Sequence, residues 1–281
     1  MASLLKTFML LGLLSILLIF VGGLLGGRQG LYMAFFFSLL MNGGASFFSA
    51  KIALAASGAK PLSRSQNPEL YQMVEELSHK IKIPMPKLYM TPARQANAFA
   101  TGRGPGHASV AVTQGILDVL SKDELRGVLA HELAHVKNRD ILIASIAAVI
   151  ASSISFLANM AMWGGLMGNN NDEDNPGAGI PGLLIALLVP IAASIIQMAV
   201  SRQREYAADE TGAKTIGNGK SLANALLAIH DTTRRAPLHT NPAYSSLYIE
   251  NPLGGVGNKM MNLFSTHPPV EERVKRLRAM R

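Results

Sequence analysis

Five consecutive residues, His131-Glu132-Leu133-Ala134-His135, carry the densest chemical possibility in the chain. On a helix, imidazoles four residues apart share one face about one turn apart, so both can reach a single metal ion. Glu132, rotated to the flank, then approaches a water that the metal polarises and can take its proton as general base. The helix is signposted by its own start signal: Ser121-x-x-Glu124 forms a capping box, and Leu125, Val128 and Leu129 follow at helical spacing towards Val136. The competing account is a solvated helical face that happens to carry two His and one Glu.

Two imidazoles do not complete a catalytic site, which normally takes three protein ligands and keeps one position open. The chain has no cysteine, which excludes thiolate sites, disulfides and cysteine nucleophiles and leaves His and carboxylates as ligands. No further His follows at short spacing, because Val136-Lys137-Asn138-Arg139-Asp140 comes next. The segment Ser201–Glu210 instead offers Glu205 and Asp209, again four apart on one face. In this arrangement Glu205 binds the metal and Asp209 hydrogen-bonds the far nitrogen of a ligating His. The alternative for that segment is a charged cluster at a helix end. Two His, one carboxylate and an open position suit Zn2+, one per chain, without excluding cobalt or manganese in vitro.

The elements that must position these residues lie partly in a membrane. Of 281 residues, 49% are hydrophobic and 16% charged, with a mean hydropathy of +0.24, too apolar for an ordinary soluble domain of this size. Four runs are long and apolar enough to cross a bilayer: residues 7–27, 31–50, 141–168 and 176–201. The first is too long for a signal-peptide core, and a second follows across Arg28-Gln29-Gly30, which predicts an uncleaved hairpin turning there. Asn42-Gly43-Gly44 in the second run and Pro190 in the fourth leave open a core helix or a re-entrant segment.

This divides the chain into an N-terminal hairpin (1–56), a polar part with the His131–His135 helix (57–140), a second hairpin (141–201) and a polar part with Glu205 (202–281). The connection at 169–175 has no Lys or Arg, whereas Lys137, Arg139, Arg202 and Arg204 flank the other ends of the same helices. The positive-inside rule therefore predicts both polar parts on the cytoplasmic side, with Arg28 weakly opposed. The net charge of +8 is accounted for by such loops. It shows neither the basic run nor the interleaved aromatics of a nucleic-acid binder. A hairpin between the two motifs also returns Glu205 to the face that His135 left.

In the first polar part, Leu70, Met73, Val74, Leu77 and Ile81 predict a helix over 67–82 stopped by Pro84 and Pro86. Residues 87–90, 97–100 and 109–112 read as strands of a small sheet. His79, His107, His230 and His239 have no partner at ligand spacing and read as surface or structural residues.

Taken together, the four runs, Asn97-Ala98-Phe99-Ala100-Thr101-Gly102, the stretch Gly127–His135, Glu205-x-x-x-Asp209 and Ser265-Thr266-His267-Pro268-Pro269 resemble the HtpX-type membrane zinc metalloproteases, which are related to the CAAX prenyl endopeptidases. The resemblance covers nearly the whole chain. It implies an α-helical membrane protein with four transmembrane helices and a cytoplasmic α+β gluzincin-type metalloprotease domain, in the cell inner membrane. The implied activity is zinc-dependent endopeptidase cleavage of misfolded or damaged membrane and cytoplasmic proteins in stress quality control. Asn97, Ala98, Phe99 and Ala100 resemble the family's edge strand, which would bind an extended substrate backbone to backbone; an ordinary sheet strand is the other reading. His267-Pro268-Pro269 with Glu271 and Glu272 reads as a helix start with Pro in the first turn, and His267 is a candidate oxyanion donor. Two rivals remain: a narrow-specificity processing protease for a peptide or lipidated protein, and a non-catalytic zinc-stabilised scaffold, which would have no need of Glu132.

Overall fold

The computed structural model describes residues 2–167, 180–235, 248–249 and 265–280. The chain divides into two compact units, one of Met1–Ser46 with Ile143–Ser201, the other of Phe47–Leu142 with Arg202–Arg281.

The first unit is built from long apolar helices. α1 (Ala2–Val21) ends in a π-helical turn at Gly22–Gly26, and α2 (Gly27–Ala56) follows; α6 (Asp140–Met167) and α7 (Ile180–Ile216) supply the rest. Their apolar stretches, Ser3–Leu25, Gly27–Ala56, Asp140–Trp163 and Leu184–Ile216, are 23, 30, 24 and 33 residues long, each enough to cross a hydrocarbon core. Large apolar side chains on the outside, among them Phe8, Ile16, Phe36, Leu40 and Leu187, are at least 60% exposed. That is the inverse of a soluble protein and the expected face for lipid. The interior is closed by Leu14, Leu18, Ile154 and Leu157 with Ala34, Ala147, Ala151 and Ala193, small residues that let helices approach without a hydrophobic drive between them.

The break between α1 and α2 differs from expectation. Arg28-Gln29-Gly30 is already helical, and the interruption falls earlier, with Gly27 at φ +57. The glycines at 22, 23, 26 and 27, free of the Cβ clash that bars other residues from this conformation, decide where the helix stops; the charge does not. Asn42-Gly43-Gly44 and Pro190 lie inside continuous helices. The Asn42 amide donates to the Ser38 carbonyl at 2.9 Å, and the Ser194 hydroxyl to the Pro190 carbonyl at 2.8 Å, so polar groups are met within the helix. The 169–175 connection and His239 lie outside the described residues.

The second unit is α+β. Its sheet has strands β1 (Lys60–Pro61), β2 (Lys87–Thr91), β3 (Ala98–Thr101) and β4 (Ser109–Thr113) in the order β1-β2-β4-β3. β2 and β4 are parallel in register Lys87↔Ser109, while β3 runs antiparallel to β4 in register Ala98↔Val112 and forms one edge. α5 (Lys122–Lys137) packs on β3, and α3 (Pro68–Ile81) and α8 (Lys220–Arg235) pack on α5, with short α4 (Gln114–Val119) between β4 and α5 and α9 (Val270–Arg278) against α8. All five apolar positions expected on α3 are buried, and Asn67 caps it by accepting from Leu70 N–H at 3.0 Å. The capping box of α5 forms as the sequence predicts. The prolines before α9 do not enter its first turn, since Pro269 is the residue before the helix; Glu271 and Glu272 do occupy that turn.

Candidate metal centre

α5 is buried on nearly every side, with Leu129 and Leu133 fully covered; each such Leu contributes about 2–5 kcal/mol against truncation to Ala. Two glycines let neighbouring helices close on it. A Cβ at Gly127 would sit 2.7 Å from the backbone nitrogen of Leu222 on α8, and one at Gly212 would sit 3.0 Å from that of His131. The second approach brings the turns of α7 that carry Glu205 and Asp209 onto the histidine face of α5.

Three ligand atoms converge there. His131 Nε2 and His135 Nε2 are 3.0 Å apart, and the Glu205 carboxylate lies 3.6 Å from the first and 3.4 Å from the second. Ligands at zinc–nitrogen and zinc–oxygen bond lengths in a tetrahedron are about 3.3 Å apart, so these spacings fit one such ion. His131, His135 and Glu205 form the cluster able to hold a metal among the described residues.

Each ligand is held from behind. Asp209 Oδ1 is 3.0 Å from His131 Nδ1, and Asp140 Oδ2 is 2.7 Å from His135 Nδ1, an arrangement that fixes ring orientation and leaves the two Nε2 atoms facing each other. Asp140 is itself fixed by Arg204 Nε, which donates to its Oδ1 at 2.6 Å. Arg273, from α9, grips Asp209 with both arms, Nη2 to Oδ1 at 2.7 Å and Nε to Oδ2 at 2.9 Å; its Nη1 is 3.2 Å from Glu205. Burial opposes the charge of this guanidinium, but Asp209 and Glu205 outweigh it and raise its pKa further. Burial likewise disfavours a charged His131, yet hydrogen bonds to Asp209 and Glu205 raise its pKa to about 10. The carboxylates of Asp209 and Glu205 that raise it supply negative charge of the kind that draws a divalent cation.

Glu132 lies beside the cluster, 6% exposed, and accepts a 2.8 Å hydrogen bond from the Ala100 N–H. The register explains that donor. Thr113 N–H pairs with the Asn97 carbonyl at 2.9 Å, so alternate residues of β3 point their backbone groups at β4 and those of Ala98 and Ala100 at the free edge. The carboxylate is thus pinned to the same edge that an extended polypeptide would join. Asn97 precedes the strand and is buried, with its Oδ1 accepting from Ile249 N–H at 3.0 Å; Ala98 and Phe99 are buried as well. His267 comes near through Arg202, whose Nη1 donates to the Ser265 carbonyl at 2.8 Å. Its Nδ1 is 3.4 Å from Glu205, and neither ring nitrogen makes a hydrogen bond among the described residues.

Asp140, Arg204 and Arg273 were not anticipated from sequence. Asp140 follows His135 by five residues, across a turn in which Arg139 adopts φ +55, so no helical spacing points to it. Arg204 adjoins Glu205, and adjacency on a helix implies divergence. Arg273 lies 142 residues from His131, and only the fold brings them together.

The sequence pattern of peptidase family M48 matches residues 64–281. A protein named Protease HtpX homolog from Pelotomaculum thermopropionicum is 50% identical over 278 residues, covering 98% of both chains. Its namesake from Thermodesulfovibrio yellowstonii is 51% identical over 277 residues, again with 98% of each covered, and that from Aquifex aeolicus is 50% identical over 266 residues, 93% of this chain and 87% of the other. Among solved structures, the crystal structure of S. mikatae Ste24p matches with a TM-score of 0.58 at 18% identity, a likeness of fold that covers 98% of this chain and spans 65% of that one.

Proposed function

The chain belongs to peptidase family M48, and from that premise we propose that it is a gluzincin-type zinc endopeptidase in which His131, His135 and Glu205 hold the metal and Glu132 is the general base. It is an HtpX-type, multi-pass membrane protease whose substrates are polypeptides. The observation that carries the finer reading is the spacing of three ligand atoms at 3.0–3.6 Å with Glu132 at their side and an edge strand beyond it.

A bound zinc would supply Lewis acidity at the scissile carbonyl and a lowered pKa for water at the open position. The chain's own groups do the rest. Ala98 and the Ala100 carbonyl present edge hydrogen-bonding groups that align an extended backbone with little regard for its side chains, the Ala100 N–H being held by Glu132. Glu132 accepts the proton of the attacking water at its carboxylate and returns it to the leaving amine. Asp209 and Asp140 keep the two imidazoles oriented, and Arg273 offsets the two carboxylates it touches. His267, with unpaired ring nitrogens beside Glu205, is the candidate donor to the oxyanion.

The active site faces the cytoplasm from the inner membrane, and the substrates are misfolded or damaged membrane and cytoplasmic proteins cleaved during stress. Support for the orientation comes from Lys137, Arg139, Arg202 and Arg204 flanking the second hairpin. Support for breadth comes from a groove that reads backbone.

The deciding experiment uses full-length enzyme in detergent with an unfolded protein substrate. Glu132→Gln leaves the ligands in place and removes the proton acceptor, so zinc content stays near one per chain while proteolysis falls to background. Full proteolysis by Glu132→Gln, or activity indifferent to a chelator shown to strip the metal, sinks the reading.

A further inference from the structure

Beside the metal centre lies a cavity of about 220 Å³ within the second unit, lined by Arg103, His107, His135, Arg139, Ile141 and Leu142 among others. We propose that this cavity is a subsite for an acidic side chain of the polypeptide substrate, near the scissile bond, read by Arg103 and Arg139. The proposal deepens the endopeptidase reading and rests on it.

Charge is the first argument. The lining contains two guanidinium groups and two imidazoles and no carboxylate. Among the described residues neither guanidinium is paired with an acid, although the neighbouring Asp140 could have served; it is spent on His135 and Arg204 instead. Cations gathered around a concave space without their own anions raise the local potential there and favour an anion from outside.

Construction is the second. Arg103 sits between Gly102 at φ +130 and Gly104 at φ +153, and a Cβ on Gly102 would meet the His107 carbonyl oxygen at 2.2 Å. The turn is therefore closed tightly onto itself, with His107 N–H bonded to the Gly104 carbonyl at 3.0 Å. The Arg103 guanidinium lies 4.1 Å above the Phe47 ring, a cation–π contact that restrains a long side chain before any ligand arrives. On the opposite wall Arg139 is held in a left-handed conformation that non-glycine residues seldom adopt, at the junction of α5 and α6. Both cations, each on a constrained stretch of backbone, line the same space.

Location and size name the ligand. His135 belongs to both the cavity wall and the metal cluster, and the 102–107 turn continues directly from β3. A substrate laid along that strand with its scissile bond at the metal must place a nearby residue here. The volume is below the about 300–1,000 Å³ of pockets that enclose drug-sized molecules, and suits one carboxylate side chain better than a phospholipid headgroup with its glycerol.

The test uses zinc-loaded full-length enzyme in nanodiscs of zwitterionic lipid and a set of internally quenched peptides that carry Glu, Gln or Lys at each position around one cleavage site. Wild-type enzyme is expected to favour Glu over Gln about tenfold in kcat/KM at one or two positions, about 1.4 kcal/mol, chiefly through KM and diminishing as salt screens the charges. Arg103→Gln with Arg139→Gln brings that ratio to about one. Arg103→Glu with Arg139→Glu turns the preference to Lys. Because each result is a ratio within one enzyme preparation, partial loss of zinc or of folded protein cancels. Equal rates for Glu and Gln at every position in an active wild-type enzyme overturn the subsite while leaving the protease reading intact, as does a ratio that survives the double Gln variant. A lipid site in its place is shown if the variants alter the response to anionic nanodiscs and leave the peptide ratios alone. Failure of the wild type to cleave any peptide in the set, or unfolded protein, removes the protease reading and the subsite with it.

Discussion

At the scale of single residues, the centre is a set of buried charges that are tolerable only together. Arg273 is 1% exposed and Asp209 1%, and breaking such a buried pair by removing one partner costs about 3–5 kcal/mol because the survivor is left uncompensated. Arg273→Ala is accordingly expected to lower thermal stability and zinc retention together, through Asp209 and His131, and the double variant Arg273→Met with Asp209→Leu should recover much of the stability while zinc stays weakly bound. Differential scanning calorimetry with metal analysis checks both halves. Asp140→Asn is milder: it replaces the charged acceptor of His135 Nδ1, and zinc affinity should fall about 10–100-fold with the fold retained. A titration with a competing chelator reads this directly, and unchanged affinity would mean that Arg204 and Asp140 serve folding alone. These two residues mark how far sequence reasoning reaches. Glu205 and Asp209 were visible because side chains one helical turn apart share a face, whereas Asp140 and Arg273 act across a left-handed turn and a tertiary contact, for which no spacing exists.

At the scale of elements, α5 organises everything, since it carries His131, Glu132 and His135 and is packed against α3, α8 and β3. Its position depends on backbone approaches that a methyl group would forbid. Gly127→Ala gains about 1 kcal/mol in helix propensity, yet the new Cβ would lie 2.7 Å from the Leu222 nitrogen and 3.0 Å from its Cα, atoms of a helix backbone that cannot swing aside. Overpacking of this kind typically costs about 1–3 kcal/mol, so the net change should be destabilising. Gly43→Ala in α2, where no atom lies within 4 Å of the added Cβ, is the control and should be neutral or stabilising. Melting curves of the two variants that rank the other way would show that α8 does not press on α5 at Gly127. The sequence made α3, α5 and the strands legible through periodicity, the capping box and flanking Pro and Gly. It left α4, α8 and β1 unread, because α8 shows its meaning only once α5 is there to bury Leu222, Leu226 and Ile229, and a two-residue strand has no period at all.

At the scale of the whole molecule, the chain leaves the metal centre at His135, enters α6, and comes back with α7 to deliver Glu205. The ligands share a compartment if both helices cross. Hydrogen bonds at Asn42 and Ser194, together with the unbroken helices through Gly43 and Pro190, remove the sequence-level grounds for re-entrant segments. The proposed sidedness rests on charge: moving a loop with Lys137, Arg139, Arg202 and Arg204 to the outer face opposes the usual orientation signal, while the 169–175 connection carries no bases. The absence of native cysteine allows this to be measured with single introduced thiols and an impermeant maleimide on intact cells. Lys137→Cys and Lys214→Cys, both at exposed positions flanking the two ligand sets, should resist labelling until the membrane is opened, and Asp172→Cys should react at once. Immediate reaction of Lys137→Cys and Lys214→Cys with protection of Asp172→Cys would invert the orientation but keep the metal centre. Opposite behaviour of Lys137→Cys and Lys214→Cys would place His135 and Glu205 on different sides of the bilayer, and no single ion could then join them.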